Sequence, residues 1–166
     1  MEFKITKHNS IQYGYKNHAY EIYKPKVGNQ NYSALKKLFL SCESALANYS
    51  KVCVIRADLH PAKYSSDNKL IHQFLKLQVQ KFEKRYKCNV RYFCAREQMS
   101  SDKEHYHLAL FFSGHKVNYP QKVLLEVQQA WNTFCQGSVK LVKSPFYMMN
   151  RGDVNEHAYR SISCSP

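Results

Sequence analysis

Val90-Arg-Tyr-Phe-Cys-Ala-Arg-Glu97, a polar segment from Gln98 to Glu104, and His105-Tyr-His-Leu-Ala-Leu-Phe-Phe112 decide the fold. Two aromatic and apolar runs flank a segment rich in Ser, Asp and Lys, a pattern that predicts two antiparallel strands joined by a hairpin loop. Just upstream, Ile71, Phe74, Leu75, Val79, Phe82 and Tyr86 recur at helical spacing with Lys and Gln opposite, so Asp67 to about Tyr86 reads as a helix. Before it, Val52-Cys-Val-Ile-Arg-Ala-Asp-Leu59 is short, β-branched and closed by Pro61, and reads as a strand. Earlier still, Ser33 is the expected N-cap of a helix carrying Leu35, Leu38, Phe39, Cys42, Ala45, Leu46 and Tyr49 on one face.

Downstream, Pro120 suits the first turn of a helix with the stripe Val123, Leu124, Val127, Trp131 and Phe134, and Gly137 is the expected stop. A short strand from Ser138 to Val142 follows, and Asn155 to about Ile162 is a short helical candidate. This order predicts an α+β fold, one mainly antiparallel sheet of about five strands with helices packed on it. Residues 1–31, rich in Tyr, Asn and Lys with Gly14, Pro25 and Gly28, show no sustained period and are expected to form an irregular arm before a single domain over 32–166.

The composition narrows the class of partner. With 166 residues, 25 Lys and Arg against 12 Asp and Glu, and 44% hydrophobic residues, the chain suits one globular domain of net charge +13 rather than a disordered segment. Such a charge favours polyanions by counterion release, and 13 Tyr with nine Phe offer faces on which unpaired bases stack. No apolar run approaches the roughly 18 residues of a membrane span and the start lacks a signal-peptide core, so a cytoplasmic protein without a membrane partner is expected. The six cysteines contain no C-x-x-C pair and are expected as free thiols.

The chemistry concentrates at His105-Tyr106-His107. Residues i and i+2 of a strand share a face, so both imidazoles project together; if Glu97 lies opposite His105 across the hairpin, its carboxylate joins them at about 5 Å. This mixed nitrogen and oxygen set suits Mn²⁺ or Mg²⁺, with Zn²⁺ less favoured, and nothing in the spacing selects the metal. Arg91 projects on the same face of its strand and is a phosphate-contact candidate. Asp58 and His60, sharing a face with Arg56, are candidates for an outer contact to the metal or for positioning a phosphate.

Arg56-x-Asp58-Leu-His60 on one strand, Arg96-Glu97 ending a second, His105-Tyr-His107-Leu on a third, then Trp131 and Arg151-Gly152-Asp153, together resemble the replication initiators of filamentous phages and related prophage proteins of the YagK/YfjJ C-terminal-domain type, in the HUH endonuclease superfamily. The likeness runs from about residue 50 to about 163. It implies a nickase of single-stranded DNA in which Glu97, His105 and His107 hold a divalent cation and a tyrosine attacks the phosphate to give a 5′ phosphotyrosine and a free 3′ hydroxyl; Arg56 and Arg96, with Arg91 from its place on the strand face, are candidates to contact DNA or support the site. Host replication proteins are further implied partners. The chain departs from the family pattern at Cys164, which stands where the tyrosine of a Tyr-x-x-Lys stretch is expected with no lysine after it, so the domain reads as truncated and Tyr159 becomes the substitute nucleophile. The alternative is a catalytically inactive nucleic-acid-binding remnant or regulator on the same fold; an aromatic-platform RNA-binding domain, stacking bases on Tyr92 and Phe93, leaves Glu97, His105 and His107 without a purpose.

Overall fold

The computed structural model describes residues 10–23, 31–98 and 103–152. Its elements in chain order are β1 (Ser10–Tyr15), β2 (His18–Tyr23), α1 (Tyr32–Asn48), β3 (Lys51–His60), α2 (Lys69–Tyr86), β4 (Arg91–Glu97), β5 (His105–Ser113), α3 (Pro120–Cys135), β6 (Ser138–Lys140) and β7 (Phe146–Asn150). An antiparallel five-stranded sheet runs β4-β5-β3-β6, with β7 pairing β3 on the same side as β6. This is the expected α+β architecture.

Strand alternation divides the core in two. Cys53, Ile55, Ala57 and Leu59 of β3 and Tyr106, Leu108, Leu110 and Phe112 of β5 face α2 and α3, meeting Phe74, Leu75, Phe82, Val127 and Trp131. On the other face Val52, Val54, Ala109, Phe111 and Met149 meet α1 through Leu35, Leu38, Phe39, Cys42 and Ala45. The apolar cover of this second face stops at Ala109, so from Arg56 onward β3 presents Arg56, Asp58 and His60, and β5 presents His107 and His105. One half of one face is therefore packed and the other half carries polar chemistry.

The first segment departs from the irregular arm expected of it. Residues 10–23 form a hairpin, with Tyr13 opposite Tyr20 and a tight turn at Lys16, whose φ is 53°. Its tyrosines bury their rings around Phe39, with centroid separations of 5.4 Å from Tyr13 and 4.8 Å from both Tyr15 and Tyr20. The Tyr15 hydroxyl stays satisfied by donating to Glu43 Oε2 at 2.9 Å, and burial with that partner pushes its pKa to about 12. Tyrosine supplies the apolar side of this ribbon, which is why no aliphatic alternation announced it.

Two helix ends also differ from expectation. Asn31, not Ser33, caps α1: its Oδ1 accepts from Ala34 N–H at 2.9 Å. At the end of α3 the left-handed residue is Gln136 (φ 55°), while Gly137 is required for space, because a Cβ there would strike the Trp131 indole and approach His60 O to 2.6 Å. Trp131 is fully buried, and its Nε1–H donates to His60 O at 3.1 Å, tying α3 to the end of β3. β6 stops at Lys140, two residues short of the expected Val142; β7, not anticipated at all, follows Pro145 and pairs residues 146–150 with 55–51. The expected helix over 155–162 lies outside the described residues. Cys42 and Cys53 are buried free thiols, as their apolar positions implied.

Candidate metal centre

Register brings the ligand-type residues together. Glu97, the last residue of β4, pairs with His105, the first of β5, and His107 pairs with Asp58 of β3. One ligand atom from each of Glu97, His105 and His107 lies within 4.8 Å of the others. His107 Nε2 is 2.6 Å from Glu97 Oε2, and His105 Nε2 is 3.2 Å from the same oxygen. On the far side of its ring, His107 Nδ1 is 2.8 Å from Asp58 Oδ1.

The electrostatics follow from that sandwich. Burial alone lowers the pKa of His107, but hydrogen bonds to Asp58 and Glu97 outweigh it and raise the value, favouring the form in which each ring nitrogen carries a proton for one carboxylate. Burial alone raises Asp58, and the hydrogen bond and charge of His107, with Arg56 behind them, hold it below its usual value. His60 stacks on His105 with centroids 5.3 Å apart and planes within 8°; burial and its cationic neighbours lower its pKa, favouring a neutral ring.

The donor set fits a divalent cation. Two imidazole nitrogens and a carboxylate oxygen on adjacent strands, half-buried and grouped within 4.8 Å, match the reach of ligands around an ion bound at about 2.0–2.2 Å. A cation held here would take the place of any proton on the His107 Nε2 that faces Glu97. Asp58 then plays the part of the carboxylate that fixes a ligating histidine from behind, leaving Nε2 as the nitrogen that faces the ion.

The remaining sequence-derived candidates separate. Arg56 shares the face and strand of Asp58 and its charge acts on that carboxylate. Arg91 lies on the same face as Glu97 but six residues away along β4, about 20 Å, opposite Phe111 in the half covered by α1; it does not belong to the cluster. Arg96 points to the opposite face, where it donates to Ser65 O at 2.5 Å and Asn68 Oδ1 at 3.4 Å, fastening the β3–α2 connection rather than contacting a ligand at the cluster. Strand parity, odd against even, separates Arg96 from Glu97. Tyr159 lies outside the described residues.

Two residues at this end of the sheet escaped the sequence reading. Glu104, 1% exposed, accepts from Ser65 N–H at 3.0 Å and from the Tyr106 hydroxyl at 3.3 Å, locking the loop after β3 against β5. Its even spacing from core-facing Tyr106 was the available signal. Lys140 pairs with Asp58 from the other edge, a non-local pairing that spacing cannot reveal.

Fold and site define an antiparallel α+β domain bearing a half-buried histidine–carboxylate cluster on the part of one sheet face that α1 does not pack against. The family model of the YagK/YfjJ C-terminal domain matches residues 14–155, and the chain belongs to that family, whose match includes most of the β1–β2 hairpin. No curated protein and no solved structure matches the chain. Among the described residues no helix is long and apolar enough to cross a membrane.

Proposed function

We propose that the chain is a divalent-metal-dependent nicking and rejoining domain for single-stranded DNA, on the HUH plan of rolling-circle replication initiators, acting in the cytoplasm in phage or prophage replication. The observation that carries this reading is the convergence of Glu97, His105 and His107 on the half of the sheet face that α1 does not pack against, with Asp58 behind His107. These three residues hold Mn²⁺ or Mg²⁺, with Zn²⁺ less favoured, and the bound ion supplies Lewis-acid stabilisation of charge on a phosphoryl oxygen. Asp58 holds His107 in the ligating orientation, Arg56 adds positive charge beside it, and the net charge of +13 raises the local concentration of the polyanion.

In the covalent step the Tyr159 hydroxyl oxygen bonds to phosphorus, the bond from phosphorus to the 3′ oxygen breaks, the phenol proton passes to solvent and the 3′ oxygen takes one up. Rejoining is the reverse. The test is a denaturing gel of the purified chain with a pool of single-stranded oligonucleotides and Mn²⁺. A covalent protein–DNA band that disappears in His107→Ala and in Tyr159→Phe is the expected result. No band, with salt-sensitive DNA binding that survives His107→Ala, overturns nicking and leaves a binding module or regulator.

A further inference from the structure

The cross-strand register extends the cluster into a surface. His107 pairs with Asp58, and Asp58 pairs on its other side with Lys140, so the three form one row across β5, β3 and β6. Val139 packs into the core facing α2 and α3, which by alternation turns Ser138 and Lys140 to the face that carries the cluster. The next row is Glu97, His105 and, through their stacked rings, His60, which pairs with Ser138. From β4 to β6 these rows cross three strand spacings, about 14 Å, and α1 does not cover them.

We infer that Lys140 holds the backbone of a single-stranded nucleic acid laid across the sheet from β4 to β6, gripping a phosphate next to the one placed at Glu97, His105 and His107. The inference rests on the proposed function and adds a binding residue and a direction to it. The carboxylate opposite Lys140 already has a hydrogen-bond partner, because Asp58 Oδ1 lies 2.8 Å from His107 Nδ1. The Lys140 side chain is exposed and makes no ion pair among the described residues. Lys140 sits two strand spacings, about 10 Å, from His107, within the span of a short single strand. A lysine is a point charge on a flexible stem, which suits a contact that must tolerate any base.

Lysine on an edge strand has a plainer use, keeping the edge from pairing with another sheet, and the two uses differ in what salt does. The experiment is fluorescence anisotropy of the full chain with a labelled oligothymidine over a salt series with Mn²⁺ present, beside direct titration of Mn²⁺. Lys140→Ala is expected to lower the slope of log K against log salt by about 0.7, the share of one phosphate contact in a single strand, with Mn²⁺ affinity unchanged and Lys140→Arg restoring the slope. Lys76→Ala, on the exposed side of α2 beneath the opposite face, is expected to leave the slope as it was. An unchanged slope in Lys140→Ala, or an equal fall in Lys76→Ala, overturns the inference while the proposed function stands. A wild-type chain that binds Mn²⁺ but no oligonucleotide overturns both.

Discussion

Replacing Asp58 by Asn tests whether the carboxylate behind His107 governs the cluster. Asp58 is 6% exposed and its Oδ1 lies 2.8 Å from His107 Nδ1. The amide has the same shape but no charge, and its N–H₂ can equally present itself to Nδ1, moving the ring proton to Nε2, the nitrogen that must face the metal. Loss of such an outer carboxylate weakens metal binding by about 10–100-fold, or about 1.4–2.7 kcal/mol. A second effect opposes the first: in the wild type the metal displaces a proton from a His107 whose pKa is raised by Asp58 and Glu97, and in Asp58→Asn part of that competition is gone. Calorimetric titration with Mn²⁺ near neutral pH therefore reads a small net loss, and the same titration at alkaline pH, where His107 is deprotonated in both proteins, reads the full one. Equal Mn²⁺ affinities of the two proteins at alkaline pH would refute the argument that Asp58 orients His107.

The same network makes the metal-free chain pH-sensitive. The raised pKa of His107 contributes stability that is complete below its unfolded value of about 6.5 and is lost as pH rises through the folded value, while the lowered pKa of Asp58 contributes above about 3.9 and is lost as pH falls through its folded value. The stability difference between the wild type and His107→Gln in chelator, by urea denaturation, is thus expected to be largest between about pH 4 and 6.5 and to shrink toward alkaline pH; a difference that grows there contradicts the sign. Gly137→Ala forces a methyl group between the Trp131 indole and His60 O, and is expected to destabilise by about 1–3 kcal/mol in the same measurement; a neutral substitution would mean that α3 and β3 do not approach as closely as described.

The parts of this fold that were readable from sequence are those in which a periodic apolar pattern coincides with one element. The stripes of α1, α2 and α3, the continuous apolar run of β3 and the Glu97–His105 hairpin are all of this kind, and the last also located the cluster by parity alone. Aromatic substitution hid β1 and β2, because Tyr13, Tyr15 and Tyr20 serve as core residues while counting as polar in any alternation. The strand β7 was hidden by its shortness and by a partner, β3, almost a hundred residues earlier, and the pairing of Lys140 with Asp58 was hidden for the same reason. Arg91 was named for sharing a face with Glu97 and Arg96 for its place in the family pattern; the register puts the first six residues from Glu97 along β4 and the second on the opposite face from the cluster.

β7 has a consequence for the proposed nucleophile. It runs antiparallel to β3, from Phe146 opposite Ile55 to Asn150 opposite Lys51, and so carries the chain away from His60. Asn150 thereby stands about 23 Å along the sheet from the level of Asp58, seven residues of β3 away. Tyr159 follows Asn150 by nine residues, a span of at most about 30 Å, so reaching the cluster of its own chain requires covering about 23 Å of that span along the sheet. Geometry of this kind makes the choice between attack within one chain and attack across two copies a question of tether length as much as of chemistry.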